Sequence, residues 1–137
     1  MKKIILGIFV FGLLAGCSDA NQNTPVTTAS SESATIPYQK IPQAEAKKIM
    51  DSGEKYILLD VRSEEEFKEK HIPKAIVIPH DEIKERAEQE LSDKNALILV
   101  YCRSGSRSKK AIDVLLQMGY TNVKDFGGIN DWPYETE

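Results

Sequence analysis

Cysteine and histidine are scarce in this chain, two of each in 137 residues, and their spacing matches no zinc site. Aromatic residues make up 7%, with no basic arm and no interleaving of aromatics with arginine. Together with a formal net charge of −3, this gives no reason to expect a nucleic-acid partner. No apolar run reaches the roughly 20 residues that a membrane-spanning helix needs. The candidate, IILGIFVFGLLA from Ile4 to Ala15, has twelve. What is present, 41% hydrophobic and 28% charged residues, suits one ordinary globular domain with an appendage.

The appendage is legible at the N-terminus. Met1-Lys2-Lys3 is a positive start, Ile4–Ala15 an apolar core, and the two together read as an export signal. Its end, Leu14-Ala15-Gly16-Cys17, resembles the lipobox of bacterial lipoproteins. That resemblance implies cleavage after residue 16 and acylation of Cys17, which becomes the new N-terminus and is tethered to a membrane of the cell envelope. Losing Lys2 and Lys3 takes the formal charge down by two, to −5. An acidic domain does not adhere to anionic lipid by itself, so attachment rests on the acyl chains. Ser18 to Thr35 carries no aromatic and many Ser, Thr and Asn residues. Such a segment cannot bury enough apolar surface to offset its ordering entropy, and reads as a disordered tether spanning roughly 25 Å. The expected organisation is therefore a signal over residues 1–16, a lipidated cysteine and tether over 17–35, and a folded domain over 36–137.

If Cys17 is linked to lipid, Cys102 has no partner in the chain. A lone thiol in an exported, oxidising compartment is a liability unless it is buried or used. Its setting argues for use. Ala96–Tyr101 (ALILVY) reads as a buried parallel strand, and SKKAIDVLLQM from Ser108 carries Ala111, Val114, Leu115 and Met118 at helical spacing. Cys102 sits at the junction, facing the unpaired amides and the positive dipole end of the helix, which favour a thiolate. Ser104, Gly105 and Ser106 suit a tight loop with inward amides, and Arg103 and Arg107 add permanent positive charge.

Elsewhere, short apolar runs alternate with polar helical segments. Strands are expected at Ile36–Ile41, Tyr56–Val61, Ala75–Ile78, Ala96–Tyr101 and Asn122–Phe126. Helices are expected from Pro42 to Met50 with Gly53 as the stop, from Ser63, a capping-box start with Glu66, to Lys70, over Asp81–Leu91 with an apolar stripe at Ile83, Ala87 and Leu91, and after the cysteine loop. Gly127-Gly128 reads as a turn into a last helical turn carrying Trp132, after which too few residues remain for another element. Five strands separated by helices imply an α/β fold with a parallel sheet, whose sites lie at the carboxyl ends of strands, where Cys102 falls.

These residues carry a family resemblance. Leu58-Leu59-Asp60-Val61-Arg62, the acidic helix with Phe67, His71-Ile72-Pro73-Lys74-Ala75, the loop Cys102–Arg107 and Gly127-Gly128 with Trp132 resemble a single-domain rhodanese, a thiosulfate sulfurtransferase module. The resemblance implies a rhodanese-like five-stranded parallel sheet in the order 3-2-4-5-1 with helices on both faces. It implies a sulfur carried as a persulfide on Cys102, taken from a small anionic donor such as thiosulfate and passed to a thiol or cyanide. Arg103, Ser104, Gly105, Ser106 and Arg107 would bind substrate, with Arg107 pointing inward. No metal, nucleotide or flavin is called for, and a monomer is expected. Lys70 and Lys74 stand where the family commonly has glycine, which puts the local backbone of that turn in question.

Asp60 and Arg62, at a strand end, read equally as pocket lining or as a structural ion pair. His71 reads as a turn support, His80 as surface, and Lys109 and Lys110 as a solvated face. Two other functions are weighed against sulfur transfer. Cysteine-dependent phosphatases use a similar cradle but space it C-x5-R, whereas Cys102 to Arg107 is C-x4-R, a narrower ring that favours a single sulfur over a tetrahedral oxyanion. A persulfide carrier, sensor or partner-binding module without turnover would keep the same cysteine.

Overall fold

The computed structural model describes residues 38–137, together with Gly12. Apart from Gly12, the signal, Cys17, the tether and the start of the first expected strand lie outside those residues.

The described part runs β1 (Gln39–Lys40), α1 (Gln43–Asp51), β2 (Ile57–Asp60), α2 (Glu64–Glu69), β3 (Ile76–Val77), α3 (Ile83–Glu90), β4 (Ile98–Cys102), α4 (Ser106–Gln117) and β5 (Val123–Gly128), then a 3₁₀ turn over Ile129–Asp131. All strand pairs are parallel, in the order β1-β5-β4-β2-β3, which is the expected 3-2-4-5-1 read from the other edge. A parallel sheet is covered on both faces, which is why its central strand has no polar alternation. In β4 every residue is buried. Ile98, Val100 and Cys102 point into a core shared with α3 and α4, while Leu97, Leu99 and Tyr101 point into a second core with Ala46 of α1, Phe126 and Trp132. Period-two alternation thus puts the cysteine on the same face as α4.

The helix caps follow their sequence. Ser63 Oγ accepts the Glu66 amide at 3.3 Å and Glu66 Oε2 accepts the Ser63 amide at 3.1 Å, a reciprocal capping box. Gly53 takes φ +83 just beyond the end of α1, a left-handed closure that glycine adopts at no steric cost.

Several boundaries differ from those expected. Among the described residues the first strand comprises two exposed residues, paired with β5 at Lys124 and Asp125. In α4 the buried residues are Ser108, Ala111, Ile112 and Leu115, while Val114 and Met118 are half-buried, so the inward stripe is rotated from the one the spacing suggests. Gly127 and Gly128 belong to β5 and are not a turn after it. The pairing runs from Val100 with Asp125 to Cys102 with Gly128, so β5 carries one extra residue. Gly127, at φ +97, absorbs that bulge.

The two lysines in the turn before β3 behave differently. Lys70 is extended, with φ −166 and ψ 134, and suffers nothing for lacking glycine. Lys74 is left-handed at φ +71, unlike every other described non-glycine residue, and such a conformation costs roughly 1–2 kcal/mol.

Candidate active site

Cys102 ends β4 and Gly105 caps α4, so three residues cross from the sheet to the helix. Gly105 has φ +100, open to glycine, and this turns its amide to donate to Cys102 Sγ at 3.0 Å. Ser106 and Arg107, in the first turn of α4, contribute further helix-start amides without intrahelical partners. Cys102 is 1% exposed and is the free cysteine of the described residues. Ser104 and Ser106 face solvent, and Arg103 does too, with 65% of its side chain exposed.

The loop is shaped from behind by β5. A Cβ on Gly128 would lie 2.1 Å from the Arg103 carbonyl oxygen, so only glycine lets the two backbones approach this closely. Its φ of −133 is ordinary, and the requirement is space alone. The Asn130 amide donates to that same carbonyl at 3.2 Å. Beneath the loop, Ser108 Oγ lies 2.9 Å from both Gly105 O and Asp125 Oδ1, one hydroxyl between two acceptors. Asp125 also accepts the Gly127 amide at 2.8 Å and the hydroxyl of Tyr38. Burial first, and the bond to Asp125 second, push the Tyr38 phenol above its ordinary range, so it stays a proton donor to that carboxylate.

Arg107 is turned toward a partner from another element. Its Nη1 donates to Glu66 Oε2 at 2.6 Å and its Nη2 to Glu66 Oε1 at 2.9 Å, a forked pair between α4 and α2. Arg103 Nη1 is 3.8 Å from the same carboxylate. The hydrogen bond from Arg107 is the largest cause holding the Glu66 carboxyl down at about 2. Reciprocally, the bond to Glu66 raises the Arg107 guanidinium above its usual value against the effect of burial, and the charges of Glu66 and Cys102 add to that.

Asp60 and Arg62 form a sealed pair, with side chains 0% and 5% exposed. Arg62 Nη2 reaches Asp60 Oδ2 at 2.6 Å and the Lys70 carbonyl at 2.6 Å, and its Nε lies 3.0 Å from both Asp60 oxygens. With every strong acceptor engaged, the pair fixes the turn after β2 and the end of α2. His71 stacks on Phe67 at 3.9 Å and exchanges backbone hydrogen bonds with Glu137, tying the final residues to that same turn.

The family profile for the rhodanese-like domain matches residues 42–134, which spans β5, the cysteine loop and the α2 region just described. The chain belongs to the rhodanese family. It is 42% identical over 73 residues to thiosulfate sulfurtransferase PspE of Escherichia coli, covering 53% of this chain and 70% of that one. It is 36% identical over 110 residues to the putative sulfur carrier protein YrkF of Bacillus subtilis, covering 80% of this chain and 57% of the relative. A solved E. coli rhodanese with anions superposes with a TM-score of 0.57 at 37% identity, over 61% of this chain and 98% of that structure.

In this rhodanese the structure sets the Gly105 amide on Cys102, turns the Arg107 guanidinium to Glu66, leaves Arg103, Ser104 and Ser106 exposed on the loop, and holds Asp60 and Arg62 in a closed pair of their own. Glu66 is a site residue that sequence reasoning misses. Its capping-box role is visible locally, but its second role needs a contact across 41 residues. Asp125 and Ser108 are likewise missed. The signal that could find Asp125 is an acid two residues after Val123, on the same inward face of the strand, which has to find donors if it is buried.

Proposed function

We propose that this rhodanese moves a sulfane sulfur from thiosulfate or a similar anionic donor to a thiol or cyanide through a persulfide on Cys102. The Cys102 thiolate attacks the outer sulfur of thiosulfate. The donor's S–S bond breaks, sulfite leaves with the bonding pair, and a persulfide anion remains on Cys102. An acceptor thiolate or cyanide then takes the terminal sulfur and returns the cysteine to thiolate, which is covalent ping-pong catalysis. The observation that carries this reading is the Gly105 amide, 3.0 Å from Sγ at the mouth of the sheet. With one amide on the inner sulfur, the orphan amides of Ser106 and Arg107 are left to meet the terminal one.

Family membership and the sulfurtransferase named among the relatives support sulfur transfer in general, and the anions in the solved E. coli rhodanese fit an anionic donor. The test is turnover of thiosulfate with cyanide. Wild type turns over, whereas Cys102→Ser loses all transfer and keeps its fold by circular dichroism. Wild-type turnover in that variant would remove Cys102 as nucleophile.

A carrier without free turnover is the second reading. The near-complete burial of Cys102 favours it, as does a relative bearing the name of putative sulfur carrier. A stable persulfide that cyanide does not discharge would select it. We also place the protein in the bacterial cell envelope, anchored through an acylated Cys17, on the support of Leu14-Ala15-Gly16-Cys17. Fatty-acid labelling that persists in Cys17→Ser would refute the anchor.

A further inference from the structure

The geometry assigns Glu66 the role of a specificity-determining residue that lowers the site's preference for doubly charged sulfur donors, thiosulfate among them, relative to singly charged ones. The inference rests on the sulfur-transfer reading and concerns the donor class of that same site.

An arginine recognises an oxyanion best through two parallel N–H bonds from one edge of its guanidinium. At this loop that edge is taken, since both terminal nitrogens of Arg107 are bound to the two oxygens of Glu66 at 2.6 and 2.9 Å. Arg103, the other cation of the loop, lies 3.8 Å from the same carboxylate. Glu66 thus occupies the Nη1/Nη2 fork of Arg107 and leaves a donor only the Nε side of that guanidinium, and its charge cancels one of the two permanent positive charges at the mouth. In the attacking thiolate form that the proposed mechanism uses, Cys102 cancels the other. Asp60 and Arg62 neutralise each other within their closed pair and add no attraction. Lys109 and Lys110 are exposed on α4 and contribute a field that salt screens. A donor therefore meets a mouth that is already neutral, and each additional negative charge on it is repelled by the carboxylate.

Glu66 stays ionised in ordinary buffers, because the Arg107 bond holds its carboxyl at about 2. The selection is consequently flat from about pH 5 upward as far as Glu66 is concerned.

Thiosulfate and methanethiosulfonate make a suitable pair of probes. Both surrender an outer sulfur to a thiolate, expelling sulfite from the dianion and methanesulfinate from the monoanion, with the bonding electron pair in each case. The variant Glu66→Gln removes the charge and keeps an oxygen to accept the Ser63 amide, so the helix cap survives. The ratio of kcat/KM for thiosulfate to that for methanethiosulfonate should rise about tenfold in Glu66→Gln, the order expected for one unit charge felt across several ångströms at a half-wet surface. The rise should shrink in high salt. An unchanged ratio, or a loss with both donors alike, would overturn the assignment and leave Glu66 as a mere support for Arg107.

A sulfate titration of the purified protein, followed by the amide signals of the loop, separates this from the chemistry. Sulfate is a dianion with no sulfur to surrender. Tighter sulfate binding in Glu66→Gln upholds charge selection even if neither donor loads the wild type, a result that would bring down sulfur transfer alone. Equal sulfate binding in both proteins overturns charge selection even if transfer proceeds.

Discussion

Two carboxylate–arginine pairs lie near the start of α2, chemically alike and physically opposite. Asp60 and Arg62 are sealed, with side chains 0% and 5% exposed, whereas Glu66 and Arg107 stand at the loop mouth with 22% and 28% of their side chains open. The sealed pair has desolvated both charges, so its members depend on each other and on the Lys70 carbonyl. The open pair keeps water within reach, can exchange partners, and sits where an incoming anion has to compete. The same two functional groups therefore serve architecture in one place and selection in the other, and burial decides which.

The largest expected effect falls on the sealed pair. Asp60→Asn leaves the Arg62 charge buried without a counter-ion, and should lower unfolding stability by about 3–5 kcal/mol in urea denaturation. A loss under about 1 kcal/mol, the size typical of a surface pair, would erase the contrast. Glu66→Gln comes next, with a stability change within about 1 kcal/mol because the pair is partly solvated and the amide oxygen keeps the cap. A collapse of the fold in that variant would make Glu66 architectural after all. Acid sensitivity gives the finer comparison. The Glu66 carboxyl is lowered on folding from 4.5 to about 2, so its contribution is complete above pH 4.5 and is lost as pH falls toward 2. Stability measured between pH 5 and pH 2 should therefore fall more steeply in wild type than in Glu66→Gln; parallel curves would contradict the ion pair.

The same contrast explains what can be read in the sequence. Asp60 and Arg62 are two residues apart, so an ion pair is one of the two readings their spacing allows, and burial settles which one holds. Glu66 and Arg107 are separated by 41 residues, and nothing local says that the first turn of α2 lies against the first turn of α4. The strand–loop–helix around Cys102 is legible because a continuous apolar run, a Ser-Gly-Ser loop and a helical stripe follow in order, each with its own physical signature. The backing of that loop is not. Gly128 reads as a flexible turn residue, whereas its role is to let the Arg103 carbonyl come within 2.1 Å of where a Cβ would stand, a demand set by a different strand. At Lys74 the sequence marks where the backbone is in question, and the left-handed φ of +71 is the answer.

The most direct test is the intact mass of the purified protein after exposure to thiosulfate, with the modified residue located by fragmentation. A loaded site predicts the gain of one sulfur atom on Cys102, removed again by a thiol reductant and absent in Cys102→Ser. An unchanged mass, or sulfur found on another residue, would contradict persulfide chemistry at Cys102.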